Sequence, residues 1–446
     1  MFGLKTFRGG VHPKGKKNIS QDLPIKEMPL TGEIIIPLSQ HTGAPAEPLV
    51  KKGDKVLKGQ RIGDKEGFIT ASVHASTSGE VTDIKYSLHP LGNKVLSIFI
   101  KPDGKDKWCD LQKTTSLNEI TSEGIISKIR EAGLVGLGGA AFPTHVKLSP
   151  PKDKKIDTLI INAVECEPYL TADYRLMLEE KEKIVLGIKV LLKALKIDKA
   201  YLAIESNKPK AIDVMSSAIK GEDSIKLLVM ETKYPQGSEK QLIEALTKRQ
   251  VPVGKLPLDV GVVVQNVGTA RAAADAVFDG KPLVERVVTV TGSNIKNPAN
   301  LRVKIGTKIT DIINFCGGPV EEIVKVILGG PMMGIAAPSI EVPVIKGTSG
   351  ILLMKKKEII FADPGPCIRC GRCLAVCPMG LAPGRFMESA EAKNYDQAME
   401  DNIINCMECG ACTYVCPSRR PMVQWIKTAK SQIQRQLRRK AKLERL

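Results

Sequence analysis

Two copies of one cysteine pattern lie near the C-terminus of this 446-residue chain. Each copy has three cysteines with two residues between neighbours, and then a fourth cysteine directly before a proline. Three closely spaced thiolates can hold one face of an iron-sulfur cubane. The pattern therefore predicts two [4Fe-4S] clusters, which are cofactors that carry single electrons. The two motifs are Cys367, Cys370, Cys373 and Cys377 before Pro378, and Cys406, Cys409, Cys412 and Cys416 before Pro417.

The spacing also predicts which cysteines share a cluster. In ferredoxins with two clusters, the fourth cysteine of each motif binds the other motif's cluster. We therefore expect Cys416 to complete the first cluster and Cys377 to complete the second. A zinc site is the competing interpretation, but structural zinc sites usually take cysteines in separated pairs. The predicted ligand sets are Cys367, Cys370, Cys373 and Cys416, and Cys406, Cys409, Cys412 and Cys377.

Length and composition indicate several ordinary globular domains. The chain is too long for one hydrophobic core, and 43% of its residues are apolar. Eight of the 11 cysteines belong to the motifs, and Cys109, Cys166 and Cys316 show no disulfide framework, which is typical of a reducing compartment. No apolar run is long enough to cross a bilayer. We predict a cytoplasmic protein that is attached peripherally, if at all, to the cytoplasmic side of the cell membrane.

The formal net charge is +18, and part of it is concentrated at the C-terminus. Between positions 427 and 446 there are eight Lys or Arg residues against Glu444 alone. Apolar residues recur at loose helical spacing over 426–446, so a basic amphipathic helix could contact anionic lipid or an acidic partner. A solvated terminal helix is the plainer alternative. Nucleic acid is disfavoured, because only 4% of the chain is aromatic.

The order of patterns predicts a multidomain α/β protein. Short strands broken by glycine resemble the barrel-sandwich fold of biotinyl and lipoyl carrier domains, without the carrier lysine. Alternating strands and helices then predict a Rossmann-like layer, with one strand at Thr158–Ala163 and one helix over Ile184–Leu195 whose apolar residues recur at helical spacing. Further short strands predict a small β-grasp insert of the SLBB kind. A helical ferredoxin module follows, with one helix expected from Pro383 to Glu400. The predicted segments are 1–30 (N-terminal segment), 31–105 (β module), 115–285 (α/β domain), 286–345 (insert), 346–425 (ferredoxin module) and 426–446 (basic helix).

A glycine-rich loop in the α/β region has the composition of an anion site. Glycines at 136, 138 and 139 let backbone N–H groups converge on a phosphate, and a helix that begins at Pro143 would add its positive end. The spacing alone matches a dinucleotide fingerprint, but the preceding Ser122–Ala132 reads as a helix rather than a strand. By itself the loop is also compatible with a plain tight turn.

Four segments, in order, resemble the NADH-binding flavoprotein subunit of respiratory complex I. That subunit has G-R-G-G-A-G-F-P-T, N-A-D-E-S-E-P, Y-x-x-G-E-E and N-N-V-E-T. The corresponding segments here are Gly136–Thr144, Asn162–Pro168, Tyr234–Glu239 and Gln265–Thr269.

With the order of modules added, nearly the whole chain resembles the RnfC/RsxC family, a component of the Rnf ion-translocating electron-transport complex. The resemblance implies an oxidoreductase component with FMN, an NAD(H) site and two [4Fe-4S] clusters. Such a component exchanges electrons between NAD(H) and membrane partner subunits that move Na+ or H+. A soluble flavin and iron-sulfur reductase, such as a cobalamin reductase, and a non-enzymatic electron relay are the alternatives.

The resemblance also implies particular site residues. It places FMN contacts at Gly136, Gly138, Gly139, Asn162 and Asn266, with Thr269 beside them. Glu165 and Glu167 would lie near the isoalloxazine and the nicotinamide, and the plainer alternative for them is a solvated turn. Three positions depart from the complex I pattern: Leu137, Val164 and Ser238. Hydride transfer to a flavin needs no side-chain acid, base or nucleophile, so we predict no catalytic side chain.

Overall fold

The computed structural model describes residues 4–359 and 363–443, with side chains as far as residue 440. The last three residues of the predicted basic segment, 444–446, lie outside the described residues. The chain divides into two compact units. One unit contains Gly15–Val229 and Pro257–Ile359, and the other contains Met1–Lys14, Met230–Leu256 and Ile360–Leu446. The domain boundaries predicted above stay predictions, but Met230–Leu256 clusters with the cysteine-rich segment rather than with the α/β layer.

The first eight strands include the expected β module. Strands β2, β8, β7 and β4 form one sheet in that order, and β3, β5 and β6 form a second. Isoleucines from both sheets, among them Ile36, Ile62 and Ile98, are fully buried in one core. The strands are β1 (Ile25–Glu27), β2 (Ile34–Pro37), β3 (Glu47–Pro48), β4 (Lys55–Val56), β5 (Arg61–Asp64), β6 (Val73–His74), β7 (Gly79–Leu88) and β8 (Lys94–Pro102).

An α/β layer follows, with sheet order β11-β10-β9-β12. Strand β9 pairs in parallel with both β10 and β12, as expected for strands joined through helices. The elements are α1 (Ser122–Glu131), α2 (Thr144–Lys147), β9 (Thr158–Ala163), α3 (Ala172–Glu179), α4 (Lys181–Leu195), β10 (Ala200–Glu205), α5 (Pro209–Ala218), β11 (Ile225–Met230), α6 (Glu239–Thr247, in the other unit), β12 (Val262–Asn266) and α7 (Val267–Ala274).

Two features of this layer bear on the sequence predictions. The apolar face predicted for α4 is confirmed, because Ile184, Ile188 and Leu191 are fully buried. Gly187 lets α4 approach α7 closely, since a Cβ there would lie 1.7 Å from the carbonyl oxygen of Ala270. The helix expected at Pro143 has only four residues, so it lacks the length to contribute a substantial dipole.

A third sheet has the order β1-β14-β13-β17-β15-β16. Its edge strand β1 comes from the N-terminal segment and pairs in parallel with β14. The remaining elements are β13 (Glu285–Thr291), β14 (Ala299–Lys304), α8 (Ile309–Phe315), β15 (Lys325–Leu328), β16 (Ile335–Ala336) and β17 (Gly350–Met354). The chain near residue 25 is therefore part of the same sheet as the predicted insert.

The cysteine-rich unit is helical. Its core contains Phe386, Ile403, Ile426 and Ile433. The single helix expected from Pro383 to Glu400 is wrong, because the chain turns through Lys393, with φ at 55°, and forms two helices. The helices are α9 (Arg372–Ala375), α10 (Pro383–Glu391), α11 (Tyr395–Glu400), α12 (Ala411–Tyr414) and α13 (Met422–Leu443).

Short helical turns complete the secondary structure. They are 3-10 helices at Lys17–Ile19, Leu117–Glu119, Pro257–Val260, Lys356–Glu358 and Ile403–Asn405, and a π-helical turn at Asp275–Asp279. Within the part of the chain that the structure describes, no helix is both long enough and apolar enough to cross a membrane.

Candidate functional site

The glycine-rich loop between α1 and α2 lies beside the end of β12. The Cβ of an alanine at Gly138 would lie 3.6 Å from the Cβ of Asn266. Gly139 has φ at 108°, and a Cβ there would face open space. Neither glycine's N–H donates a hydrogen bond to another described residue. The loop therefore leaves two backbone donors available to a ligand. We call the open space beside Gly139 the bay.

Neighbouring residues hold the loop in place. The N–H of Gly136 donates to the carbonyl of Phe142 at 2.8 Å, and the N–H of Leu137 donates to the Thr269 hydroxyl at 2.9 Å. Thr269 is fully buried, so its hydroxyl holds Leu137 from the interior side of the loop.

Two buried cations lie under the same loop, and sequence reasoning missed both. Arg286 donates to the carbonyls of Leu137, at 3.3 Å, and Lys346. The Lys346 ammonium donates to the carbonyls of Ser72 and Gly133, both at 2.7 Å. Burial lowers the pKa of Lys346 to about 7 and that of Arg286 to about 10. Among the described residues neither group forms an ion pair, so the Arg286 guanidinium, together with Lys346 when it is protonated, gives the loop a positive environment suited to an anion.

The carboxyl ends of β9 and β12 bring two predicted asparagines together. Asn162 and Asn266 are register partners on these parallel strands. The Asn266 side chain accepts from the N–H of Gly268 at 2.8 Å, which caps α7, and donates to Asp173 at 2.7 Å. Such strand ends are where open α/β sheets bind ligands. The structure thus places Asn162, Asn266 and the glycine-rich loop at one edge of the sheet.

The two predicted glutamates lie on the loop that follows β9. Glu165 has a side chain only 5% exposed, and it accepts from the N–H groups of Asp173, at 2.7 Å, and Tyr174, at 3.3 Å. Burial raises the pKa of Glu165 to about 7. Glu165 is therefore not the solvated surface acid that the plainer interpretation expected.

Glu167 is also engaged by backbone donors. Its carboxylate accepts from the N–H groups of Met332, at 3.1 Å, and Met333, at 2.8 Å. Burial raises its pKa as well. This contact joins the loop after β9 to the loop after β15.

The two cysteine motifs repeat one backbone conformation. Arg369 and Glu408 occupy equivalent positions and have φ at 54° and 61°. Gly371 and Gly410, next after the second cysteine of each motif, have φ at 73° and 82°, and each precedes a four-residue helix. Equal local geometry at both motifs indicates two equivalent cofactor sites.

The surroundings of the thiols differ between the motifs. Cys367 and Cys370 are exposed, whereas Cys409 and Cys412 are each 7% exposed. Burial raises the pKa of the Cys409 thiol to about 11 and that of Cys412 to about 12, and the nearby charge of Cys377 contributes to both shifts. Cys377 thus lies close enough to Cys409 and Cys412 for its charge to affect both thiols. Among the described residues, no three His, Cys, Asp or Glu side chains converge on the position of a single metal ion.

Family models match most of the chain and confirm the predicted modules. They define an FMN-binding protein with a [4Fe-4S] dicluster domain. The matching models are the RnfC barrel sandwich hybrid domain (residues 5–105), the Nuo51 FMN-binding domain (129–275), the SLBB domain (287–336) and the 4Fe-4S dicluster domain (359–417).

Curated relatives then identify the family. The chain is 50% identical to the C subunit of the proton-translocating ferredoxin:NAD(+) oxidoreductase complex of Clostridium ljungdahlii, over 96% of this chain and 94% of that protein. It is 45% identical to the C subunit of the Na(+)-translocating ferredoxin:NAD(+) oxidoreductase complex of Acetobacterium woodii, over 96% and 97%. The chain belongs to this RnfC family of ion-translocating oxidoreductase complexes, as the sequence predicted.

Solved structures show a partial likeness. A chain of an NAD+-reducing [NiFe]-hydrogenase in the H2-reduced state aligns with a TM-score of 0.49 and 19% identity, over 69% of this chain and 63% of that one. This likeness is too low to bear on function.

Proposed function

We propose that this chain is the electron-transfer component through which NAD(H) exchanges electrons with the membrane partners of an ion-translocating complex. The observation that carries the proposal is the presence of an FMN-binding domain and a dicluster domain on one chain. A bound flavin can take a hydride from NADH and release electrons singly to clusters. Membership of the RnfC family favours this function over a cobalamin reductase or a bare relay.

The residues at the sheet edge fit FMN. Gly138 and Gly139 offer free N–H groups, and Arg286 and Lys346 supply positive charge beneath the loop. Free backbone N–H groups and nearby positive charge both favour the binding of a phosphate. We assign the phosphate to the glycine-rich loop and the ring to the edge formed by Asn162 and Asn266.

The acidic loop and Thr269 have supporting roles in this assignment. Thr269 holds Leu137 in place, while Glu165 and Glu167 fix the loop after β9 through backbone hydrogen bonds. These carboxylates act by shaping the wall of the site that NAD(H) would approach. Such placement keeps the reacting atoms at near-attack distance and excludes water.

The cysteines fit crossed ligand sets. Cys377 lies near enough to Cys406, Cys409 and Cys412 for its charge to affect the pKa of all three thiols. We therefore propose that Cys377 completes the cluster of the second motif and that Cys416 completes the cluster of the first.

The basic helix supports a location at the cytoplasmic face of the membrane. Its first half packs Ile426, Ala429 and Ile433 into the core of its unit. Beyond that core, Leu437 is 51% exposed, and Arg438 and Arg439 have no acidic partner among the described residues. A half-buried helix with a basic, partly apolar end suits an anionic membrane surface.

An anaerobic titration with NADH tests the proposed function. The purified, cluster-reconstituted chain with FMN should lose both flavin and iron-sulfur absorbance as NADH is added. Reduction of the clusters by dithionite, with no response to NADH, would contradict the proposal. Omission of FMN is the control, and NADH should then leave the clusters oxidised.

A further inference from the structure

The loop after β9 has an unfavourable backbone. Glu165 has φ at 48° and Tyr169 has φ at 69°, which is the left-handed region that side chains other than glycine rarely adopt. Residues held there persist only when their surroundings enforce the conformation, and they cluster at functional sites. The contacts around this loop must therefore enforce its conformation.

Lys17, from the N-terminal segment, supplies the main contacts. Its ammonium donates to the carbonyls of Glu165 at 2.8 Å, Glu167 at 3.0 Å and Leu170 at 2.6 Å. An ammonium has three donors, so each N–H finds one carbonyl. The Lys17 side chain is 11% exposed, and its nitrogen lies 4.0 Å from the Glu165 carboxylate. One cation thus fastens three points of the strained loop.

Two neighbours of Lys17 attach the same segment to the same loop. The N–H of Tyr169 donates to the carbonyl of Gly15 at 2.7 Å, and the hydroxyls of Ser20 and Thr171 lie 2.8 Å apart. Asn300, on β14, donates to the carbonyl of Ser20 at 2.8 Å. We call residues 15–20 the strap.

The loop after β9, which the strap holds, leads to the edge of the sheet where the flavin ring is proposed to bind. Glu165 accepts from the N–H of Asp173 at the start of α3, and Asp173 accepts from the side chain of Asn266. Asn266 lies directly beside Gly138. A continuous set of contacts therefore runs from Lys17 to the bay.

We propose that Lys17 is a positioning residue for the flavin site, because it holds the loop after β9 in the conformation that sets Asp173 and Asn266. This inference rests on the proposed function. It gives the N-terminal segment a role that neither the cysteine motifs nor the glycine-rich loop indicates.

Lys17→Met tests the proposal, with Lys16→Met as the matched control because Lys16 is adjacent and exposed. In the full-length, cluster-reconstituted protein, amide hydrogen exchange of peptides covering 163–171 should become about ten- to a hundredfold faster in Lys17→Met, as expected when charge-assisted hydrogen bonds are lost. FMN dissociation constants should rise by a similar factor, and flavin reduction by NADH at saturating FMN should slow. Lys16→Met should match the wild type.

Lys17→Arg provides a second variant if Lys17→Met folds poorly. It keeps the charge but cannot reproduce the three-carbonyl geometry, so loop exchange and FMN affinity should fall between those of the wild type and Lys17→Met. Unchanged exchange in both variants would overturn the inference that Lys17 holds the loop after β9. Faster exchange with unchanged FMN affinity and NADH kinetics would overturn the positioning role alone. A wild-type chain that binds no FMN would overturn the proposed function and this role with it, even with a loosened loop in Lys17→Met.

Discussion

Asn266 donates a hydrogen bond from Nδ2 to the Oδ2 atom of Asp173 at 2.7 Å and so joins the end of β12 to the first turn of α3. The same amide accepts from Gly268 and caps α7. Burial raises the pKa of Asp173 and so disfavours its charged form, whereas the hydrogen bond from Asn266 stabilises that form. One side chain thus couples two elements at the edge of the sheet where FMN is proposed to bind.

Asn266→Ala should weaken FMN binding by about tenfold or more, because it leaves a buried carboxylate without its donor. Loss of the cap should also destabilise the protein by about 1 kcal/mol. Titration monitored by flavin fluorescence measures the affinity. Asn118→Ala, at an exposed 3-10 turn, is the control and should bind FMN normally. Normal affinity in Asn266→Ala would count against the site as proposed.

Cys377→Ser and Cys406→Ser should abolish the same cluster signal in electron paramagnetic resonance, and Cys416→Ser and Cys367→Ser should abolish the other. The reason is that the fourth cysteine of each motif is expected to bind the cluster of the other motif. Iron content should fall by about half in each variant, since each set serves one of two clusters.

The control for the cysteine series is Cys109→Ser, which lies outside both motifs and should keep both signals. If Cys377→Ser and Cys373→Ser instead remove the same signal, each motif holds its own cluster and the crossed assignment fails.

Gly139→Ala should strongly reduce FMN affinity. Its φ of 108° makes any side chain unfavourable by about 1–3 kcal/mol, and the added methyl group would point into the open bay. Gly92→Ala is a matched control, because Gly92 has φ at 91° and also faces open space, but lies in the hairpin between β7 and β8. It should lose stability and keep FMN affinity. Equal affinities in the two variants would place the phosphate elsewhere.

Lys346 should make stability depend on pH. Its pKa is about 7 in the folded chain, below the ordinary lysine value of 10.5. Between these values the unfolded chain binds more protons, so the free energy of unfolding rises with pH. The rise from this residue is about 1.4 kcal/mol per pH unit at most.

Urea denaturation at pH 7, 8 and 9 checks this expectation. The difference in stability between the wild type and Lys346→Met should change in favour of the wild type as pH rises. Lys101→Met, at an exposed position, should show a constant difference. A constant difference for Lys346→Met as well would mean that Lys346 keeps its proton throughout.

The combined reversal Arg438→Glu and Arg439→Glu should abolish sedimentation with vesicles of phosphatidylcholine and phosphatidylserine. Each basic residue near an anionic surface contributes about 1 kcal/mol, so the two reversals should cost roughly 4 kcal/mol. Binding by the wild type should weaken as salt increases. Lys51→Glu with Lys52→Glu, at exposed positions of the other unit, is the control. A wild-type chain that does not sediment with these vesicles would contradict the proposed contact with lipid.

Local patterns predicted much of this molecule. The strand at Thr158–Ala163 and the buried face of α4 follow from short-range periodicity. The helix expected over Pro383 to Glu400 failed at Lys393, where a left-handed turn interrupts a helical composition. Intrinsic propensity is too weak to exclude such a turn when packing favours it.

The cysteine spacing by itself indicated the two clusters, and four ordered short segments together with the order of modules indicated FMN and the family. Each of these signals depends on residues close together in sequence. Only the tertiary structure showed that Lys17 reaches the loop after β9 and that Arg286 and Lys346 lie beneath the glycine-rich loop. A lone Lys or Arg carries no local pattern that distinguishes it from a solvated surface residue. Its role is decided by which distant carbonyls the folded chain places around it, since a buried cation is stable only where such acceptors converge.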